Sequence, residues 1–168
     1  DLTGCSAVTG AVMAAVPPTV RCLCAVSTAI DCDAVVDATH LQLKTLKVSS
    51  LPSARGALVA RKSFRMLERL RFALRHTRHR CPSADTSNNI VFDVAGSCPV
   101  LRVLDVVPSS TLLWNEEAAT TDQGLRAIGR LTALTAVRLS GCDAVTPSAF
   151  AAAMSSLPLL QFCIASGA

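Results

Sequence analysis

The run His76-Thr77-Arg78-His79-Arg80-Cys81 invites zinc chemistry, because His and Cys are that ion's usual ligands. It supplies three ligands where a closed structural site needs four, and Arg75, Arg78 and Arg80 would repel a cation. No metal is expected there, and the run reads as a basic, exposed loop. Cys22-Leu23-Cys24 has one residue between its thiols, where a redox-active pair has two. In a strand these two cysteines share a face, which suits a structural or interface role. The chain has no phosphate-cradling glycine loop, no GxSxG and no HExxH, and the spacing of His40, His76 and His79 singles out no triad. The expectation is a protein that is not an enzyme and uses no cofactor.

Charge points instead to binding. Nine of the 16 Lys and Arg fall between Arg55 and Arg80, where Glu68 is the only carboxylate. A cluster of this kind suits an acidic protein surface or a nucleic acid. Aromatic residues make up 4% of the chain, with one Trp and no Tyr, which leaves little for base stacking. Other protein subunits with an acidic surface are therefore the expected partners, and RNA contacted through residues 55–80 is the alternative.

These residues need a frame, and composition limits what it can be. At 168 residues, 51% hydrophobic and 17% charged, the chain suits a single folded domain with a core of Leu, Val and Ala. Mean hydropathy is high, at +0.44, yet no apolar run reaches the roughly 18 residues of a membrane span. Asp1-Leu2-Thr3 does not open a secretory signal. The eight cysteines are scattered through apolar segments rather than packed into a short loop-rich framework, so a reducing, intracellular compartment is expected.

An internal repeat organises the chain. Leu2-Thr3-Gly4-Cys5-Ser6-Ala7-Val8-Thr9 recurs as Leu139-Ser140-Gly141-Cys142-Asp143-Ala144-Val145-Thr146, each copy leading into an Ala-rich helical stretch and then a Pro. A template of three apolar residues, spaced three and then two apart, fits six segments. They are Val20/Leu23/Ala25, Leu43/Leu46/Val48, Leu67/Leu70/Phe72, Leu101/Leu104/Val106, Leu134/Val137/Leu139 and Leu160/Cys163/Ala165. Successive segments begin 23, 24, 34, 33 and 26 residues apart. Each predicts a short strand whose second and third apolar residues enter a core that only stacked neighbours can complete. Thr146-Pro147 predicts a helix N-terminus, cap then first turn. Glu116-Glu117 would suit the start of a helix carrying Leu125, Ile128 and Leu131. Residues 76–97, with a polar run from Arg78 to Asn89, read as a loop-like insertion.

The pattern resembles the leucine-rich repeat proteins, and within them the cysteine-containing subfamily often found behind F-box motifs. Thr121-Asp122-Gln123-Gly124-Leu125-Arg126-Ala127-Ile128 is similar to its helical signature, Cys98-Pro99-Val100-Leu101-Arg102-Val103-Leu104 to its approach to the strand, and Leu139-Ser140-Gly141-Cys142 to its turn. Thr28, Leu51, Arg75 and Ser109 stand where that turn has Cys or Asn. The resemblance implies an α/β solenoid, with a short parallel β-sheet on the concave face and helices or turns on the convex face. Residues 1–168 would form one array of about six repeats, read as an excerpt of a longer array because neither end shows a polar cap.

It also implies a function: a non-catalytic scaffold or structural subunit that binds protein through the concave face. The strand register places Lys47, Arg69, Arg71 and Arg138 on that face, with apolar Phe162 and Ile164 at its C-terminal end. Lys47 and Arg71 should be lateral neighbours about 5 Å apart, with Arg69 two residues before Arg71. Glu68 has the parity of the inward residues and should point away. The cations are thus expected to meet an acidic partner or a phosphate.

Overall fold

A strand alternates its side chains, so the template commits each odd or even residue to one face before any neighbour is considered. The computed structural model follows that commitment; it describes residues 1–28, 30, 32–38, 40–49, 64–74, 84–108, 120–142 and 144–166. Six strands form one sheet: β1 (Cys22–Ala25), β2 (Thr45–Val48), β3 (Arg69–Leu74), β4 (Val103–Pro108), β5 (Ala136–Ser140) and β6 (Phe162–Ser166). All are parallel, and they lie side by side in chain order. Register follows the repeat without a slip. Leu23 stands opposite Leu46, Leu46 opposite Leu70, Leu70 opposite Leu104, Leu104 opposite Val137, and Val137 opposite Cys163.

That ladder is the core. Leu23, Leu46, Leu70, Leu104 and Val137 are all buried, as are Val48, Phe72, Val106 and Leu139 two residues on. The first template residues Leu43, Leu67, Leu101 and Leu134 close it from below. Each such side chain contributes about 1.5–3 kcal/mol on burial.

The backbone before the strands repeats as well. A turn in which the first template residue donates its N–H to the carbonyl three residues back recurs at Val20–Pro17, Leu67–Phe64, Leu101–Cys98, Leu134–Leu131 and Leu160–Leu157. Beyond it, two successive N–H groups donate to one carbonyl of the preceding repeat. Lys44 and Thr45 donate to Arg21, Glu68 and Arg69 to Lys44, and Arg102 and Val103 to Glu68.

Helices return the chain on the other side of the core: α1 (Cys32–Asp37), α2 (Ala84–Ser97), α3 (Asp122–Ile128) and α4 (Pro147–Ser155). In α4, Thr146 is the N-cap, its hydroxyl accepting the Ala149 N–H, and Pro147 occupies the first turn, as the dipeptide predicts. Helix α2 packs against α3, and α3 against α4.

Three expectations need correction. Residues 76–97 do not form a loop throughout, because Ala84–Ser97 is helix α2. Its second half sets Ile90, Val91 and Val94 at helical spacing into the core, with Cys98 buried just past its end, and that burial overrides the turn preference of Ser and Asn. Helix α3 starts at Asp122 behind the cap Thr121, so Asp122 supplies the first-turn charge; Glu116 and Glu117 lie outside the described residues. After Thr9 the return is only a 3₁₀ helix, Gly10–Ala15, since the short distance to Pro17 leaves no room for a longer one.

The two copies of the Leu-x-Gly-Cys motif fold alike. Gly4 and Gly141 have φ of 80° and 73°, the left-handed region that glycine enters without strain. Gly4 donates its N–H to Val26 and Gly141 to Ser166, while Val8 and Val145 each close a turn onto the cysteine three residues back. No helix among the described residues is long and apolar enough to cross a membrane.

Candidate binding surface

From β1 to β5 one face of the sheet is buried and the alternate residues lie on the other; β6 is exposed on both faces, and parallel pairing carries the same rows onto it. One row runs Cys24, Lys47, Arg71, Asp105, Arg138, Ile164 from β1 to β6. Beside it runs Cys22, Thr45, Arg69, Val103, Ala136, Phe162. All six residues expected to form the surface fall in these rows. Lys47, Arg69, Arg71 and Arg138 are exposed, and Phe162 and Ile164 keep 53% and 40% of their surface open to solvent. Phe162 and Ile164 are large apolar side chains next to the cations on the same face; Cys163 and Ala165, of the opposite parity, are exposed too, so β6 is open on both sides. Cys22 and Cys24 also share this face, exposed and half-buried, with Leu23 buried between them.

The six strands carry four cations and a single carboxylate, Asp105. Lys47 and Arg71 are lateral neighbours, as the register predicts. Sequence reasoning missed the answer to Arg71. Its Nε lies 3.5 Å from Asp105 Oδ2 on the next strand, so an internal counterion serves this arginine. The signal was present: Asp105 has the outward parity, and pairing of residue 71 with residue 105 was all that remained to be drawn. Lys47, Arg69 and Arg138 join no ion pair among the described residues.

Glu68 takes no part in this face. Its Oε1 meets Lys44 Nζ at 3.0 Å, at the foot of the strands. The hydrogen bond from Lys44, then the charge of Lys44, hold its carboxyl below the usual carboxylate value, with Arg102 and Arg69 adding weaker pull.

Thr28, in the turn after β1, stands at a position where the resemblance leads one to expect Cys or Asn. Its hydroxyl donates to the Ala25 carbonyl at 3.0 Å and accepts the Ile30 N–H at 3.3 Å, which ties the turn after β1. Leu51, Arg75 and Ser109 lie outside the described residues, as do His76, His79 and Cys81. No three His, Cys, Asp or Glu side chains gather to hold a metal among the described residues.

The surface carries fixed cations spaced by strand pairing, one counterion set among them, and large apolar side chains on β6. No protein-family model matches the chain, and no curated protein matches it.

Proposed function

We propose that the chain is a leucine-rich-repeat-like solenoid of about six repeats that acts as a non-catalytic, protein-binding scaffold or structural subunit. It uses the exposed, concave face of the sheet, takes an acidic protein surface as partner, and works without metal or cofactor. The observation that carries this reading is the row Lys47–Arg71–Asp105–Arg138, in which strand pairing holds three cations against one carboxylate on an open face. Such a field steers and selects an acidic partner. A reducing, intracellular compartment belongs to the same reading, since exposed thiols such as Cys5 and Cys22 would oxidise elsewhere.

Photo-crosslinking inside cells tests it. A crosslinking residue placed at 47, 69 or 138 should trap protein through acidic segments, while the same residue at the helix positions 123 or 151 should not. Equal trapping at both sets of positions would count against a partner on the sheet face. Recovery of RNA from the sheet positions would replace the protein partner with a ribonucleoprotein one.

A further inference from the structure

The face is asymmetric, and its asymmetry restricts what can lie on it. Cations occupy β2 and β3, the carboxylate sits in β4, a further cation in β5, and the bulky apolar pair in β6. Between Arg69 and Phe162 the floor is Val103 and Ala136, short and half-buried side chains. Strands stand about 4.8 Å apart, so Arg69 and Phe162 lie about 14 Å from each other across the sheet. An extended polypeptide covers that distance in about four residues.

We infer that the occupant of this face is an extended protein segment running across the strands, acidic at one end, with a bulky apolar residue about four positions away. This rests on the protein-binding reading above and specifies its partner. The acidic end meets Lys47 and Arg69, neither of which has an ion-pair partner among the described residues. The apolar residue covers Phe162 and Ile164, the two large apolar side chains that β6 exposes on this face. Asp105 acts against the wrong ligand. It lies mid-row with its side chain only 23% exposed and its Oδ1 buried without a hydrogen-bond partner. A segment acidic along its whole length would set a carboxylate over Asp105, at a cost in repulsion. A continuous phosphate backbone would do the same, which disfavours RNA on this surface.

Selection of short random peptides displayed on phage, against the whole chain, tests the rule without presupposing a partner. The enriched peptides should carry Asp or Glu together with a large apolar residue about four positions away. Lys47→Glu with Arg69→Glu should turn the acidic end of the selected pattern basic and leave the apolar end in place. Phe162→Ser with Ile164→Ser should erase the apolar end and weaken the parent peptides about tenfold. Folding of each variant is checked by its thermal midpoint. Enrichment of uniformly acidic peptides that ignore the Phe162 and Ile164 changes overturns this inference and leaves the protein-binding reading standing. Failure to enrich any peptide, or selected peptides indifferent to both pairs of substitutions, overturns the inference and counts against the face as a protein site. Tighter binding of an RNA oligonucleotide than of every selected peptide overturns both.

Discussion

Arg71 and Asp105 face each other across the β3–β4 pairing, guanidinium Nε to carboxylate Oδ2 at 3.5 Å. The pair divides the cations of the face into one arginine with a counterion and three that join no ion pair among the described residues. Asp105→Asn should therefore strengthen binding of an acidic segment severalfold, by removing the only carboxylate in the strands. Its effect on stability should stay within about 1 kcal/mol, the range of partly exposed ion pairs. Titration calorimetry with an acidic peptide and denaturant unfolding measure the two quantities.

Alternation along β3 gives a paired prediction. Leu70→Ala removes a side chain only 2% exposed, flanked by Leu46 and Leu104, and should cost about 2–5 kcal/mol. Arg69→Ser, one residue earlier on the open face, should change stability by no more than about 0.5 kcal/mol. Urea unfolding of the two variants checks the register directly.

The phase of β1 to β5 was legible in the sequence, because an apolar ladder with one solvated face tolerates no one-residue slip; β6, exposed on both faces, keeps the same phase through its pairing with β5. Leu46, Leu70 and Leu104 were placed inward, and Lys47, Arg71 and Arg138 outward, by that rule alone. Helix α2 was not legible. Its first half is Ala84-Asp85-Thr86-Ser87-Asn88-Asn89, residue types that favour turns, and the apolar spacing begins only at Ile90. The partner of Arg71 was hidden for a different reason. A contact between residues 34 apart in sequence needs the lateral register as well as the parity of each side chain.

Asp122 ties one repeat to the next. Its Oδ1 accepts the Thr146 N–H at 2.7 Å and its Oδ2 the Thr146 hydroxyl at 2.8 Å. Those bonds, backbone first, hold its carboxyl below the usual aspartate value. A carboxyl lowered on folding adds stability above its unfolded pKa and loses it as pH falls through the lower, folded value. The wild-type thermal midpoint should thus exceed that of Asp122→Asn at neutral pH, and the gap should close in acid. Midpoints of both chains measured against pH supply the check; a gap independent of pH would remove the carboxylate from the account.

Gly141 holds φ at 73°, where an L side chain is strained. Gly141→Ala should cost about 1–2 kcal/mol, and Gly141→Asn less, because Asn tolerates the left-handed region. Chemical denaturation of the two variants gives both numbers.

Cys98 is buried, and that burial pushes its thiol pKa up to about 12. The thiolate is the reactive form, so Cys98 should resist maleimide in the native state and label only on unfolding. Exposed Cys5 and Cys22 should label at once. Timed alkylation with peptide mapping reads each site.

The proposed binding depends on Lys47, Arg69 and Arg138, which join no ion pair among the described residues. The measurement that tests it most directly is binding by the variant combining Lys47→Ser, Arg69→Ser and Arg138→Ser, with Arg71 kept in place for Asp105. Its affinity for the acidic and apolar peptides that select on the parent chain should fall at least about tenfold, with the thermal midpoint nearly unchanged. Parent binding should weaken with added salt, and the residual binding of the variant should not. Undiminished binding at low and high salt would make the cations a solvated surface without a partner, and an unfolded variant would show that the register drawn here is wrong.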